Sequence, residues 1–260
     1  MLRIVADLGN TRLKLGRVDE TGQLEYVEAI HLDSEDILED TLSRWIGDGH
    51  TGSQWAISTV NPPTAKRLEQ LLQNRGVADV VWYRSAAAVP VPHAIVSPET
   101  AGADRALAVS AALGRRPSGR PGFVVLCGTA VVVERVSADG TWRGGAIAPG
   151  LALSARALHM LTAQLPLVSP SPSPPAWGNS TRPALEAGIF WGAVGTIREL
   201  LMRQASGFEL PCWLIWTGGD AEALAPAIAW EGATVVPDLV LEGLARVAFG
   251  VAVGAAETGR

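Results

Sequence analysis

The amino-acid sequence predicts an α/β fold made of two similar halves, and three observations support this prediction. Short apolar runs typical of strands alternate with amphipathic stretches typical of helices, which is the pattern of an α/β protein. A hairpin-like segment at the start of the chain returns after residue 122. The 260 residues, 48% of them apolar, can bury one large core or two smaller ones. We place the halves at residues 1–116 and 121–260, on either side of a break rich in Arg, Pro and Gly.

The first half opens with an apolar run that ends at a carboxylate and turns on a glycine. Residues 2–6 suit a buried strand, and residues 12–18 suit the returning strand. Between them, Gly9 and Asn10 tolerate the left-handed conformations of a tight turn. An Asp at the end of a buried strand, followed by exposed amides and a Thr hydroxyl, can hold Mg²⁺ beside the phosphates of a nucleotide. An ordinary hairpin uses the same turn residues, so a second, related signal is needed.

The rest of the first half alternates strands and helices and then places two charged residues at a helix start. We predict strands at 23–30, 55–60 and 77–83, and helices at 34–46, 62–74 and 106–113. Asp104 and Arg105 lie together in the first turn of the last of these helices, where both side chains can face a ligand. The alternative is an Asp that caps the helix and an Arg in a surface ion pair.

The second half begins by repeating the opening hairpin. We predict strands at 123–126 and 131–136, joined by a turn at Gly128 and Thr129, and Gly9 of the first hairpin aligns with Gly128. Two such turns facing each other would grip a polyphosphate from both sides. Chance similarity is the alternative, because hairpins have few sequence solutions.

The remaining segments of the second half follow in order. We expect a glycine-rich crossing at 144–150, helices at 152–164 and 182–204, a semi-rigid Ser-Pro loop at 169–175, a strand at 214–216 and a last helix after residue 238. The Ser-Pro loop is either a lid or an inert connector. The strand opens onto Thr217, Gly218 and Gly219, a turn without a bulky side chain where a flat ligand ring could lie.

Composition and charge argue against several classes of protein. A net charge of −5 offers no basic footprint for a nucleic acid. The most apolar continuous run, residues 123–133, is well short of a membrane span, and Arg3 and Asp7 interrupt any N-terminal secretory signal. Cys127 and Cys212 do not make a disulfide framework. We therefore expect a cytoplasmic protein with neither a nucleic acid nor a membrane as its partner.

Six short motifs follow one another along the chain: DxGNTxxK at 7–14, GADR at 102–105, GTA at 128–130, GGAIAPG at 144–150, GNST at 178–181 and TGG at 217–219. Their order and spacing resemble type III pantothenate kinase over nearly the whole chain. The resemblance implies a duplicated actin-like (ribonuclease H-like) kinase fold with the active site in the cleft between its halves. It also implies a homodimer that uses ATP to phosphorylate pantothenate to 4'-phosphopantothenate, the first step of coenzyme A biosynthesis.

The resemblance also implies roles for individual residues. Nucleotide contacts fall on Asp7, Leu8, Gly9, Asn10, Thr11, Arg12, Leu13, Lys14, Gly128, Thr129, Thr217, Gly218 and Gly219, and pantothenate contacts fall on Gly102, Ala103, Asp104, Arg105 and Thr181. Asp104 becomes the catalytic base, and the Arg105 guanidinium fork matches the pantothenate carboxylate. ATP with Mg²⁺ is the implied cofactor, and Asp7 is the expected Mg²⁺ ligand.

Three residues depart from the family pattern. Leu126 stands where the family has an Asp that binds a monovalent cation, so dependence on K⁺ or NH₄⁺ is doubtful and the cation site is expected to be lost. Lys14 is the nearest candidate in sequence to replace that charge. Glu134 stands where an Asp is usual, and Ile95 replaces a Tyr that contacts the substrate.

Two other functions remain open on the sequence. A catalytically impaired accessory or regulatory homologue would keep nucleotide binding, and Leu126 and Ile95 favour it slightly. The intact Asp7, Asp104 and Arg105 favour an active enzyme more strongly. A sugar or acetate kinase of the same superfamily is not supported by the GADR segment.

Overall fold

The computed structural model describes residues 1–32, 35–47, 52–208 and 211–250, and the chain divides into two compact units. The first unit contains Met1–Val91, Ile95–Arg115 and the helix that begins at Leu239; the second contains Pro92–Ala94 and Arg116–Asp238. The main chain thus passes between units inside the break that the sequence indicates. The last helix belongs with the first unit, whereas the predicted halves placed it in the second.

The first unit is built on a mixed sheet covered by helices. Its elements are β1 (Arg3–Leu8), β2 (Arg12–Val18), β3 (Leu24–His31), α1 (Glu35–Ile46), β4 (Gln54–Thr59), α2 (Pro62–Asn74), β5 (Asp79–Tyr83) and α3 (Ala103–Arg115). The strand order is β3-β2-β1-β4-β5. The neighbours β1, β2 and β3 pair antiparallel, whereas β4 pairs parallel with both β1 and β5.

The second unit repeats this arrangement. Its elements are β6 (Gly122–Cys127), β7 (Ala130–Val136), β8 (Trp142–Pro149), α4 (Leu151–Met160), α5 (Thr181–Gln204), β9 (Trp213–Thr217), α6 (Ala221–Leu224) and β10 (Thr234–Val235). The strand order β10-β9-β6-β7-β8 matches the first sheet strand for strand, again with three antiparallel strands followed by parallel ones. The predicted α/β fold of two similar halves is therefore confirmed.

Helices cover both faces of the first sheet. On one face, α1 and α2 bury a cluster that includes Ile4, Leu8 and Leu68. The last helix, α7 (Leu239–Phe249), lies on the other face, where an added Cβ at Gly16 would be 3.3 Å from the Leu241 side chain. Because β1 is the central strand of this sheet, its carboxyl end lies between β2 and β4.

A close crossing of α3 and α7 holds the GADR helix in place. A side chain at Gly243 would overlap the backbone of Leu107, so glycine allows the two helices to approach closely. Arg115 makes a two-pronged ion pair with Glu242 at 2.8 and 3.0 Å. The segment at residues 241–244 therefore packs against α3, the helix that carries Asp104, and its Glu242 binds the carboxyl end of that helix.

The second unit has its own core on one face of its sheet. Alternate residues of β6, including Phe123 and Val125, pack against Phe190 and Ile197 of α5. Among the described residues, no helix is long and apolar enough to cross a bilayer.

The predicted glycine-rich crossing at 144–150 is wrong, because most of it belongs to β8. This strand is the edge strand of the sheet, next to β7, and its residues alternate between greater and lesser exposure. Its first residue, Trp142, also forms a short parallel bridge with His93. An added Cβ at Gly145 would lie 2.6 Å from the Glu134 carboxylate, so glycine is required by the packing of the sheet rather than by a turn.

Candidate functional site

Asp7 lies in the middle of a polar row that crosses three strands. It is the register partner of Lys14 on β2 and of Ser58 on β4, and cross-strand partners point to the same face of a sheet. The Ser58 hydroxyl, which is fully buried, donates a hydrogen bond to the Asp7 carboxylate. Sequence reasoning missed Ser58, because parallel strand register joins residues that are distant in the chain.

The Asp7 carboxyl is held in an environment that opposes its ionisation. Burial, followed by the negative charge of Asp104, raises the pKa of Asp7 to about 6, against the opposing effects of the Ser58 hydrogen bond and the Lys14 ammonium. Two predicted site residues 97 positions apart in sequence are thus brought close enough for their charges to interact. Carboxylate oxygens are the ligands that a hard divalent cation prefers.

The first turn is held by backbone and side-chain hydrogen bonds. The Gly9 amide donates to the Arg12 carbonyl at 3.0 Å, and the Asn61 side chain, which caps α2, donates to the Gly9 carbonyl at 3.4 Å. Gly9 does not have a positive φ, and the nearest atom to an added Cβ would be the Arg12 carbonyl oxygen at 3.4 Å. The turn therefore does not use the left-handed freedom expected of its glycine.

Asp104 is fixed at the first turn of α3. Its carboxylate accepts a hydrogen bond from the Arg105 amide at 2.9 Å, the type of bond expected of a carboxylate at a helix start. A Cβ at Gly102 would overlap the Asp104 carboxylate, which explains why this segment has a glycine. Ala103 is fully buried, whereas Asp104 and Arg105 are partly buried.

The second unit brings its two predicted nucleotide turns into backbone contact. The Asp220 amide, directly after the TGG turn, donates to the Cys127 carbonyl at 3.1 Å, and Cys127 directly precedes Gly128. Gly218 has φ +97°, and a side chain there would overlap the Cys127 backbone. The Thr129 carbonyl accepts the Gly150 amide at 3.0 Å, which ties the end of the Gly-rich motif to the same turn.

Thr217 and Leu126 are neighbours on one face of the second sheet. They are register partners in β9 and β6, and both side chains are buried. The Thr217 hydroxyl donates to the Pro237 carbonyl at 3.3 Å, so this side chain is turned into the fold. Leu126 offers no oxygen atom to a cation.

The other predicted positions are dispersed through the two units. Thr181 is the exposed first residue of α5, and Ile95 is partly buried in the first unit. Glu134 is fully buried and accepts a hydrogen bond from the Trp142 indole at 2.6 Å. Glu134 thus secures the pairing of β7 with β8.

The chain matches one family over most of its length. The model of the type III pantothenate kinase family matches residues 3–203. A relative of that name from Porphyromonas gingivalis is 42% identical over 151 residues, which cover 57% of this chain and 61% of that one. Longer matches to type III pantothenate kinases reach 33% identity in Chlorobaculum parvum, over 88% of this chain and 87% of that one, and 30% in Nitrosococcus oceani, over 94% and 93%.

Solved structures resemble the chain in fold. A structure described as a Baf family transcriptional activator from Campylobacter jejuni has a TM-score of 0.62 at 19% identity, over 95% of this chain and 98% of that one. An activator of 2-hydroxyisocaproyl-CoA dehydratase from Clostridium difficile, with bound ADPNP, has a TM-score of 0.52 at 10% identity, over 96% and 95%. At such identities the likeness concerns the fold alone.

Proposed function

The chain belongs to the type III pantothenate kinase family, and we propose that it phosphorylates pantothenate to 4'-phosphopantothenate with ATP, the first step of coenzyme A biosynthesis. The observation that carries the proposal is the pairing of Asp7 with Asp104 in the first unit. A family match could persist in a chain that had lost activity, but a carboxyl group whose ionisation is opposed by burial and by a second carboxylate needs a reason to be kept.

Asp104 is the proposed catalytic base. Phosphoryl transfer through a loose transition state depends on positioning and charge, and a carboxylate within reach of the attacking hydroxyl accepts its proton. The hydrogen bond from the Arg105 amide orients this carboxylate, and Gly102 leaves the space that the carboxylate occupies. The base is therefore preorganised by the start of α3.

Asp7 is the proposed Mg²⁺ ligand. Mg²⁺ is commonly bound by one or two carboxylates together with substrate phosphates, and when bound it would neutralise charge on the phosphates. The Ser58 hydroxyl orients the Asp7 carboxylate, and Lys14 adds a positive charge beside it. Leu8 to Leu13 complete the first nucleotide segment, with the amides of Gly9 and Asn10 as donors for phosphate oxygens.

The contacts of the pantothenate carboxylate, and those of the nucleotide with the second unit, are assigned from side-chain charge and from exposed backbone amides. We assign the pantothenate carboxylate to Arg105, with the amides of Gly102 and Ala103 beside it. In the second unit, Gly128 and Thr129 serve the phosphates. The buried Thr217 side chain leaves the backbone of Gly218 and Gly219 as the part of that turn available to the nucleotide.

A coupled assay of ADP release, with and without pantothenate, tests the proposed function. We expect release to depend on pantothenate and to be absent when a hexose or acetate replaces it. ADP binding without pantothenate-dependent release would instead support the accessory homologue, which the departures at Leu126 and Ile95 favour slightly. We expect the enzyme to act in the cytoplasm.

Dimerisation through α5 is part of the proposal, because one face of this helix is open and carries Thr181. Thr181, Gly188, Gly195 and Met202 recur every seven residues, about two helical turns, and all are exposed. An added Cβ at Gly188, Gly192 or Gly195 would meet nothing within 4 Å among the described residues. Small residues on an open helix face suit close approach by the same helix of a second copy, which would bring Thr181 to the partner's pantothenate site.

Gly192→Glu is expected to give a folded monomer with at least about tenfold lower activity. The added side chain has room in the isolated chain, whereas a charge placed between two closely packed helices blocks their approach. Light scattering and the coupled assay measure both effects. Gly52→Glu is the matched control, since Gly52 is equally open. A fully active monomeric wild-type protein would contradict the proposed dimer.

Activity is expected to be independent of monovalent cations. Hard cations require oxygen ligands, and the nearly buried Leu126 has none. Rates in Tris chloride without sodium or potassium should match rates in KCl at equal ionic strength, in the coupled assay. Saturable several-fold activation by K⁺ or NH₄⁺, absent with Na⁺, would mean that other residues form the cation site.

A further inference from the structure

A cavity of about 650 Å³ opens beside the TGG turn of the second unit. Gly219 lies at one side of it, and the Ser-Pro segment contributes Pro172 and Pro174 as a wall. Trp191 of α5 and Glu222 of α6 also line the cavity. The cavity is large enough for a nucleoside, since small-molecule sites commonly have volumes of about 300–1,000 Å³.

The Ser-Pro segment is fastened in position to form this wall. The Trp191 indole donates a hydrogen bond to the Pro175 carbonyl at 3.1 Å, and Pro174 is buried. The Trp191 ring is itself braced edge-on by Phe190, with ring centres 5.1 Å apart. A segment that the sequence left as either a lid or a connector is thus a fixed side of a cavity.

The cavity continues from the proposed phosphate turn. Gly219 is part of its lining, and Asp220 beside it hydrogen-bonds the Cys127 carbonyl, directly before Gly128. If the phosphates of a nucleotide bind Gly128 and Thr129, its nucleoside can therefore reach the cavity. This continuity favours the nucleoside end of the phosphate donor as the occupant over an unrelated ligand.

Glu222 carries the single charge among the described residues that line the cavity. A carboxylate accepts hydrogen bonds and cannot donate them. The donors that a nucleoside offers are its ribose hydroxyls and the amino or imino N–H groups of its base. Trp191 supplies a flat apolar surface, 42% exposed, on which a base can stack.

Because the resemblance already assigns nucleotide contacts to the TGG turn, the cavity beside this turn is the place for the nucleoside of the phosphate donor. We infer that Glu222 selects among nucleotides by accepting a hydrogen bond from that nucleoside. The inference rests on the proposed kinase function and adds to it the residues that determine donor preference. Trp191 has a second role in this site, because its hydrogen bond to the Pro175 carbonyl holds the Ser-Pro wall in place.

The test measures binding of diphosphates by calorimetry, without pantothenate. Glu222→Gln is expected to weaken ADP binding about tenfold, because a neutral amide oxygen accepts a weaker hydrogen bond than a carboxylate does. Glu231→Gln, which removes the same charge from an exposed position outside the lining, should leave ADP binding unchanged. Unchanged ADP affinity in Glu222→Gln would overturn the inference.

Two altered nucleotides identify the donor group. If Glu222 accepts from the ribose, 2'-deoxy-ADP should bind the wild type weakly and lose little further affinity in Glu222→Gln. If Glu222 accepts from the adenine amino group, IDP, which has an oxo group there, should show this behaviour instead. Equal losses for ADP, both analogues and 3'-deoxy-ADP would mean that Glu222 acts without a hydrogen bond to the nucleoside, which would contradict the inference.

The outcome is separable from that of the kinase proposal. A Glu222 effect on ADP binding, together with no pantothenate-dependent ADP release, would reject the proposed reaction and retain the nucleoside site. Pantothenate-dependent ADP release with no effect of Glu222→Gln on ADP binding would retain the proposed reaction and reject the inference about Glu222.

Discussion

Asp104→Asn should lower the turnover of pantothenate by about 10²- to 10⁴-fold, the usual contribution of a general base. The amide keeps the shape of the carboxylate and its bond to the Arg105 amide, but it cannot accept the proton of the attacking hydroxyl. The coupled assay measures the loss, and calorimetry with ADP should show affinity within a few-fold of the wild type.

A matched control separates this loss from a general effect of charge. Asp40→Asn removes an exposed carboxylate from α1 of the same unit and should leave turnover unchanged. Because Asp104 raises the pKa of Asp7, removing its charge should also lower the Asp7 pKa. Turnover of Asp104→Asn within a few-fold of wild type would remove Asp104 from the role of base.

Asp7→Asn should abolish most activity while making the ligand-free protein more stable at neutral pH. The Asp7 pKa is about 6 in the folded protein, above the ordinary 3.8, so between these values the folded chain binds more protons than the unfolded chain. Stability contributed by this group is therefore lost as pH rises through that window. At pH 7.5 the ionised carboxylate opposes folding by about 1–3 kcal/mol, an opposition that the amide lacks.

Urea unfolding in EDTA at pH 7.5 and at pH 4.5 measures this difference. We expect Asp7→Asn to exceed the wild type in free energy of unfolding at the higher pH, with the gap closing at the lower pH. Asp40→Asn should show no such pH-dependent gain, because that side chain is exposed. A destabilised Asp7→Asn protein at pH 7.5 would mean that Asp7 serves the fold, through its bond with Ser58, more than the site.

The elements with strong local signals were predicted closely from the sequence. The strand at 12–18 and the helix at 62–74 have the observed bounds, because a turn precedes the first and prolines open the second. The two-residue alternation expected of a strand also holds at Leu13 and Lys14, the first of which is buried and the second half-buried. These features depend on neighbouring residues alone.

Features that depend on distant residues were not predictable. Ser58 meets Asp7 through parallel register, and α7 joins the first unit across the whole length of the second. The inward turn of the Thr217 hydroxyl depends on Pro237, and the cavity beside Trp191 depends on how the Ser-Pro segment is fastened. Each requires contacts between segments whose relative positions no local pattern specifies.

The central claim is that the Asp7 and Asp104 pair serves phosphoryl transfer to the hydroxyl of pantothenate. The most direct test is to incubate the protein with ATP, Mg²⁺ and pantothenate, and to examine the product by mass spectrometry and phosphorus-proton correlation NMR. We predict a product heavier by one phosphoryl group, attached at the 4'-oxygen, formed by wild type and nearly absent with Asp104→Asn. Unmodified pantothenate after prolonged incubation with wild type, or equal product from both proteins, would contradict the account.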